Sequence, residues 1–290
     1  MGKQISIILV FFFWVIPSVS YANLDDKRVV SWNLQGASHA TESKWNVNVA
    51  VLLRGGVNSQ QNVDIINIQE AGTPPPTATL LPQLGARLVN PDNLAVPVEE
   101  YEWDLGTRYR RNIFYIYFSR VDTGANRVNL AIVSRQRASR VIILGTSVFP
   151  GHGRPVLGIE VDNSYYFNIH AIANGGSDSG VVTERVWNYF NQNNDQSSWM
   201  ITGDFNRNPF GMTNSLQRLL DTNYPHVSQN VTIISQNSPT QNSGGILDYA
   251  VVGQINSINA PLSNPRASLF TAGLLGQMAS DHTPVIFYKR

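Results

Sequence analysis

Short apolar runs bounded by Gly, Pro, Asn and Asp dominate the chain, a pattern that predicts strands more often than helices. Val29–Asn33, Val63–Gln69, Asn112–Ser119, Arg127–Ser134, Arg140–Leu144, Pro155–Val161, Tyr165–His170, Trp199–Thr202, Ile246–Val252 and Val285–Tyr288 all read this way. Helical spacing enters only at intervals. Trp45, Val49 and Leu52 recur within Glu42–Leu53, and further helices are expected over Val181–Asn191 and Asn214–Leu220. The Pro74-Pro75-Pro76 break opens a stretch that reads as loop-rich to about Glu102. Asp122-Thr123-Gly124-Ala125-Asn126 and Phe149-Pro150-Gly151-His152-Gly153 are turn-prone links of the kind that join antiparallel neighbours. Strands with helices interspersed predict a layered α/β sandwich rather than a doubly wound parallel sheet.

These strands are distinguished by how they end. Asn33, Glu70, His170, Asp204, Asn206 and Asp248 lie at or near the ends of apolar runs, and Asp281-His282 stands at the mouth of the last strand. A buried polar side chain needs a partner or a metal, so the endings predict one shared polar site. A carboxylate from Glu70 and an amide oxygen from Asn33, completed by water and substrate phosphate, would hold Mg2+ in its usual way. A cap or surface carboxylate accounts for Glu70 alone equally well, and a turn-stabilising role for Asn33 alone better. Asp204 and Asn206 are two residues apart, so in extended chain they project to one side, the carboxylate taking a proton from water and the amide donating to phosphate. An ordinary Asp-Asn turn is the competing reading. His170 and His282 titrate near neutrality, so one can deprotonate water while the other protonates a leaving oxygen. Asp248 needs a partner, and orienting a histidine would provide one. His39, His152 and His226 lie in loop-like contexts and are set aside.

Composition narrows the setting. Lys3, the uncharged run from Ile5 to Ile16, Pro17 and the small-residue end Ser20-Tyr21-Ala22 read as a secretory signal peptide over residues 1–22, leaving 23–290 as a single domain. No other run approaches the length of a membrane span. With no cysteine in the chain, an exported protein has no disulfide framework, no thiol nucleophile and no cysteine metal site. Basic and acidic residues number 21 and 20, so net charge points to no partner. Distribution says more: Arg108, Arg110, Arg111, Arg120, Arg127, Arg135, Arg137, Arg140 and Arg154 cluster mid-chain with Asp122 the one acid among them. Such a face is a candidate phosphate-binding surface, with solvated strand edges as the plain alternative.

There is no Gly-x-Ser-x-Gly elbow, Walker loop or His-Glu-x-x-His helix. Metal-assisted hydrolysis of a phosphate ester uses all the parts present, because a divalent cation and arginines offset the charge of the transition state. The blocks Ser31-Trp32-Asn33-Leu34-Gln35-Gly36, Ile68-Gln69-Glu70-Ala71-Gly72, Gly203-Asp204-Phe205-Asn206 and Ser280-Asp281-His282 resemble the deoxyribonuclease I-like endonuclease/exonuclease/phosphatase superfamily. Thr41–Asn46, Gly124–Ser134 and Ile246–Tyr249 narrow the resemblance to the active B subunits of bacterial cytolethal distending toxins.

That resemblance implies a four-layered sandwich of two mixed sheets with outer helices. It implies Mg2+ near Glu70 and Asn33, His170 as acid or base toward the leaving oxygen, and His282, oriented by Asp248, activating water. Asp204 and Asn206 would position nucleophile and phosphate, Asp281 would assist the metal or His282, and Arg127 and Arg154 would bind phosphate. The implied activity is nicking of host DNA by a secreted genotoxin, causing DNA damage and cell-cycle arrest. The implied partners are two lectin-like binding subunits of the CdtA and CdtC type, with secretion through the periplasm and action in the host nucleus. A phosphoinositide phosphatase on the same site, and a non-catalytic scaffold, are the alternative readings.

Overall fold

The computed structural model describes residues 24–36, 44–54, 62–122, 126–145, 153–255, 262–270 and 280–289. The expected signal peptide, His39 and His152 lie outside the described residues.

With strands numbered along the chain, one eight-stranded sheet runs in the order Arg266–Leu269 (β14), Val285–Tyr288 (β15), Val29–Asn33 (β1), Ile65–Gln69 (β2), Leu130–Ser134 (β7), Ile113–Ser119 (β6), Val98–Asp104 (β5), Thr79–Leu80 (β3). A seven-stranded sheet runs Gln229–Ile234 (β12), Asp248–Ile255 (β13), Trp199–Asp204 (β11), Ser164–His170 (β10), Val156–Val161 (β9), Arg140–Leu144 (β8), Leu88–Val89 (β4). Parallel pairing is confined to β1–β2, β10–β11 and β4–β8. Both expected turn-linked pairs, β6–β7 and β8–β9, are antiparallel.

Strand alternation creates the layers. Successive residues face opposite sides of a sheet, so a strand buried on both faces supplies two cores. Val29, Ile65, Tyr166, Met200 and Val252 pack between the sheets, while their neighbours Val30, Ile66, Phe167, Ile201 and Val251 face outward. The outer face of the first sheet is covered by a helical segment that begins as a π-helical turn, Lys44–Val49, and continues as Ala50–Arg54 (α1), burying Trp45, Val49 and Leu53. The outer face of the second is covered by Ser179–Gln192 (α2) and Pro209–Asn223 (α3), through Val186, Trp187, Phe190, Met212 and Leu216. Three apolar cores separate four layers, the sandwich that the strand pattern and the resemblance imply.

The stretch expected to be loop-rich to Glu102 contains β3, β4 and most of β5. Val98–Asp104 escapes the apolar-run criterion because four of its seven residues are acids, and its pairing with β6 supplies what its own sequence lacks. The same acids correct the picture of a cationic mid-chain face. Arg111 pairs with Glu102 and Asp104, Arg120 with Glu99, and Arg137 with Glu100, whose buried carboxylate also takes Arg87. Arg140 pairs with Glu160, and Arg135 donates to the Val63 and Leu53 carbonyls. Charges distant in sequence are matched across strands, which a local count of arginines does not reveal.

Candidate active site

The polar strand endings meet at one end of the sandwich. Register places Asn33 beside Gln69 on the first sheet and aligns His170, Asp204 and Asp248 across the second. Asp204 is the last residue of β11, and the Gly203 before it has φ +154°, where a Cβ would strike the Ile169 carbonyl. Glu70 turns into the site because its own φ is +48°, ending the alternation of β2. Asn206 lies in a turn at φ +49°, so turn geometry rather than strand alternation carries it to the side of Asp204. Its backbone N–H donates to Asp204 Oδ1 at 2.8 Å, and its Nδ2 donates to the Ala171 carbonyl at 2.9 Å.

Asp204 is the hub. Its Oδ2 accepts from Asn33 Nδ2 at 3.1 Å and lies 3.8 Å from Nε2 of both His170 and His282. Asn33 Nδ2 also donates to Glu70 Oε1 at 3.3 Å, and that oxygen is 3.8 Å from His170 Nε2. His282 Nδ1 and Asp248 Oδ2 are 2.8 Å apart, with both side chains almost wholly buried. His282 is anchored through its backbone: its N–H donates to Ser280 Oγ, and its carbonyl accepts from Trp32 Nε1. Asp281 keeps 40 % of its side chain exposed, with Oδ1 3.8 Å from His282 Nε2.

Burial and neighbouring charge drive these groups apart. Burial, with Arg154 and His282 nearby, takes His170 down to about 3. Burial also opposes charge on His282, but the bond and charge of Asp248, with Asp204 and Asp281, outweigh it and raise the imidazole to about 9. Asp204 rises to about 7, chiefly by burial and then by the Asp248 charge. These shifts favour a neutral His170 and a protonated His282 near neutral pH. For His282, expected as a base, the protonated form is favoured, with Asp248 Oδ2 2.8 Å from Nδ1 and Asp204 Oδ2 and Asp281 Oδ1 each 3.8 Å from Nε2.

These shifts predict a pH dependence of the metal-free fold. His282, raised above its ordinary 6.5, contributes stability that is complete below about pH 6.5 and lost as pH rises through about 9. His170, lowered, contributes above 6.5 and loses its share as pH falls toward 3; Asp204, raised from 3.8, loses its share on the way up to 7. The His170 and Asp204 effects oppose each other below 6.5, leaving the alkaline loss on His282 exposed. Melting midpoints in EDTA should fall between pH 6.5 and 9.5, and Asp248→Asn should flatten that fall. Parallel curves for the two proteins would contradict an origin in His282.

Hard oxygen donors gather on the first sheet's side of the site. Burial raises the Glu70 carboxyl, and nearby Asp281 adds to the rise. Asp281 Oδ1 is buried with no hydrogen-bond donor among the described residues. Two carboxylates that repel each other, one with an unsatisfied oxygen, fit a small divalent cation. Asn33 offers its NH2 to Glu70 and Asp204 and its oxygen to the Gln35 N–H, so in this orientation it is a donor that spaces two acids. Asp204, Asp248 and His282 also bring ligand atoms within 4.8 Å of one another. The 2.8 Å Asp248–His282 bond accounts for that closeness, and an imidazole is a poor ligand for a hard cation, so the trio reads as a proton-handling unit.

Arg154 reaches this end of the sheet with Nη1 on the Ala171 carbonyl at 3.0 Å, and Asp178 holds its backbone N–H at 2.9 Å. Arg127 is exposed on the turn before β7, whose Asn129 carbonyl accepts from the Ala71 N–H beside Glu70. His226 is exposed in the turn after α3. Two contributors lack a signature of their own in the sequence. Lys44 Nζ donates to the Leu34 and Gln35 carbonyls, and Gln35 Oε1 accepts from the Asp281 N–H, so one turn braces both sides of the acidic pair. Only their places inside the motif blocks Thr41–Asn46 and Ser31–Gly36 signal them in the sequence.

The Endonuclease/Exonuclease/phosphatase family matches residues 30–282. The chain is 40% identical over 291 residues to the cytolethal distending toxin B-subunit homolog of Salmonella typhi, covering 100% of this chain and 99% of that protein. It is 41% identical over 298 residues to the B subunit of the Escherichia coli cytolethal distending toxin, covering all of both. The crystal structure of the Haemophilus ducreyi cytolethal distending toxin superposes with a TM-score of 0.79 at 40% identity, over 92% of this chain and 99% of that one. The chain belongs to the family of cytolethal distending toxin B subunits, enzymes of nuclease and phosphodiesterase type within the endonuclease/exonuclease/phosphatase fold.

Proposed function

We propose that this protein is a Mg2+-dependent endonuclease that nicks host DNA as the active subunit of a secreted toxin. The observation that carries the reading is the hub: Asp204 Oδ2 lies 3.8 Å from two imidazoles whose titrations are pushed in opposite directions. Acid–base hydrolysis of a phosphodiester needs one proton acceptor and one donor at a single phosphorus. Glu70 and Asp281 would hold the cation, which supplies charge neutralisation at the phosphate. His170 and the Asp248–His282 pair exchange protons with the water and the leaving oxygen, Asp204 and Asn206 fix the approach, and Arg154 and Arg127 hold flanking phosphates. Phosphate contacts carry no base information, so nicking is without strong sequence preference. Four of the nine mid-chain arginines, Arg111, Arg120, Arg137 and Arg140, are paired with acids, which weakens the ground for a lipid head-group substrate. Export through the signal peptide, delivery by two lectin-like subunits and action in the nucleus complete the reading.

Purified protein with supercoiled plasmid and Mg2+ should yield open circles, with EDTA or His170→Ala abolishing the conversion. Failure of the wild-type protein to nick at generous concentration would overturn the proposal, and faster phosphate release from a trisphosphorylated inositol lipid would redirect it.

A further inference from the structure

We infer that the buried polar residues between the sheets, Asn67, Gln69, Asn168 and Thr202, are positioning residues that set the distance between the two halves of the site. The inference rests on the hydrolytic reading above. Asn33, Glu70 and the Asp281-His282 pair belong to the first sheet's side; His170, Asp204 and Asp248 belong to the second. Catalytic spacing is therefore a distance between sheets, which pairing within either sheet does not fix; beside His282 the Gln241–His282 bridge and the Thr283 N–H to the Thr240 carbonyl also join the two sides.

The intersheet layer is graded along the strands. Val29, Ile65, Tyr166 and Met200 form an apolar tier. Two residues further on each strand, on the same face, stand Ser31, Asn67, Asn168 and Thr202. Another two residues on stand Asn33, Gln69, His170 and Asp204. The middle tier is stitched across the gap. Asn67 Nδ2 donates to the Phe167 carbonyl and to Thr202 Oγ1, both at 2.8 Å. Gln69 Nε2, next to Glu70, donates to Asn168 Oδ1 at 2.6 Å. In return, Asn168 Nδ2 donates to the Ile68 and Ala131 carbonyls at 2.8 and 2.9 Å.

Apolar contact is non-directional and leaves two sheets free to slide; hydrogen bonds do not. For the two side-chain pairs, Asn67–Thr202 and Gln69–Asn168, stability alone gives little reason, because matched apolar replacement of both partners of a buried bond is close to neutral. The seam also carries a cost, since Asn67 Oδ1 and Gln69 Oε1 are buried without a partner among the described residues. Its geometric consequence is that each polar residue lies one to three positions before a residue of the site.

The test is the Asn67→Leu/Thr202→Val pair, which makes the Asn67–Thr202 bond apolar on both sides and also removes the Asn67 bond to the Phe167 carbonyl. In plasmid nicking, kcat should fall by about 10- to 100-fold with KM nearly unchanged, the size expected of a small misplacement. Mg2+ affinity measured by calorimetry should stay as in wild type, because Glu70 and Asp281 share one sheet's side. Thr202→Ser alone, which keeps the hydroxyl oxygen and its Asn67 donor, should keep wild-type kcat, and if the pair variant does not fold, Thr202→Val against Thr202→Ser decides. Wild-type kcat in a folded variant, or kcat and Mg2+ binding lost together in step with folded fraction, would overturn the inference. Absence of nicking by the wild-type protein would instead fail the hydrolytic reading.

Discussion

His282→Ala is expected to lower kcat for plasmid nicking by about 100- to 10,000-fold, the range of a positioned acid or base. Asp248→Asn should lose nearly as much, although it touches no substrate. Asp248 holds His282 Nδ1 at 2.8 Å from a position with almost no solvent access, so it fixes the orientation of the ring and the proton on Nδ1. Its charge is also what offsets burial and keeps the imidazole protonated. An asparagine keeps the shape and removes both effects. The double variant should then be little worse than His282→Ala, because residues acting as a unit are not additive. Initial rates at saturating plasmid and Mg2+ give the cycle directly. Fully multiplicative losses would mean that Asp248 acts independently of His282, and the pair would lose its assigned division of labour.

Glu70→Gln is expected to move stability and function in opposite directions. In EDTA the variant should melt higher than wild type, since burial and the neighbouring Asp281 both oppose ionisation of the Glu70 carboxyl. The Asn33 bond can persist because glutamine keeps an acceptor oxygen. With Mg2+ the order should reverse. A cation at 100 times its dissociation constant stabilises a folded protein by about 2.7 kcal/mol, and the variant should lose most of that gain together with nicking. Melting curves with and without Mg2+ measure both halves. A variant that keeps the full Mg2+-induced rise would place the cation elsewhere, with the Asp204, Asp248 and His282 trio as the next position to test.

Much of the architecture is legible in strand pattern. Val29–Asn33 is a strand with the expected bounds, and Tyr165–His170 and Val285–Tyr288 also fall where alternating or continuous apolar runs place them. These strands are buried on both faces, so their sequences announce themselves. Val98–Asp104 does not, because its acids are satisfied by arginines of other segments. Gln229–Ile234 and Arg266–Leu269 lie at sheet edges, where partial exposure permits polar residues and dilutes the pattern.

The candidate site divides the same way. That Asn33, Glu70, His170, Asp204, Asp248 and His282 are polar residues at the ends of apolar strands follows from order along the chain. Folding such strands into stacked sheets gives those endings a common edge to share. The sequence alone thus determined which side chains were available and that a polar site would stand at strand ends. Tertiary structure decided the rest: which way burial and charge push each histidine, which arginines are already paired, and how Asn67, Gln69, Asn168 and Thr202 bond one sheet to the other. The reason is physical. Side-chain type and alternation are local properties of the chain. Desolvation, charge pairing and the distance between sheets arise only when segments remote in sequence pack together.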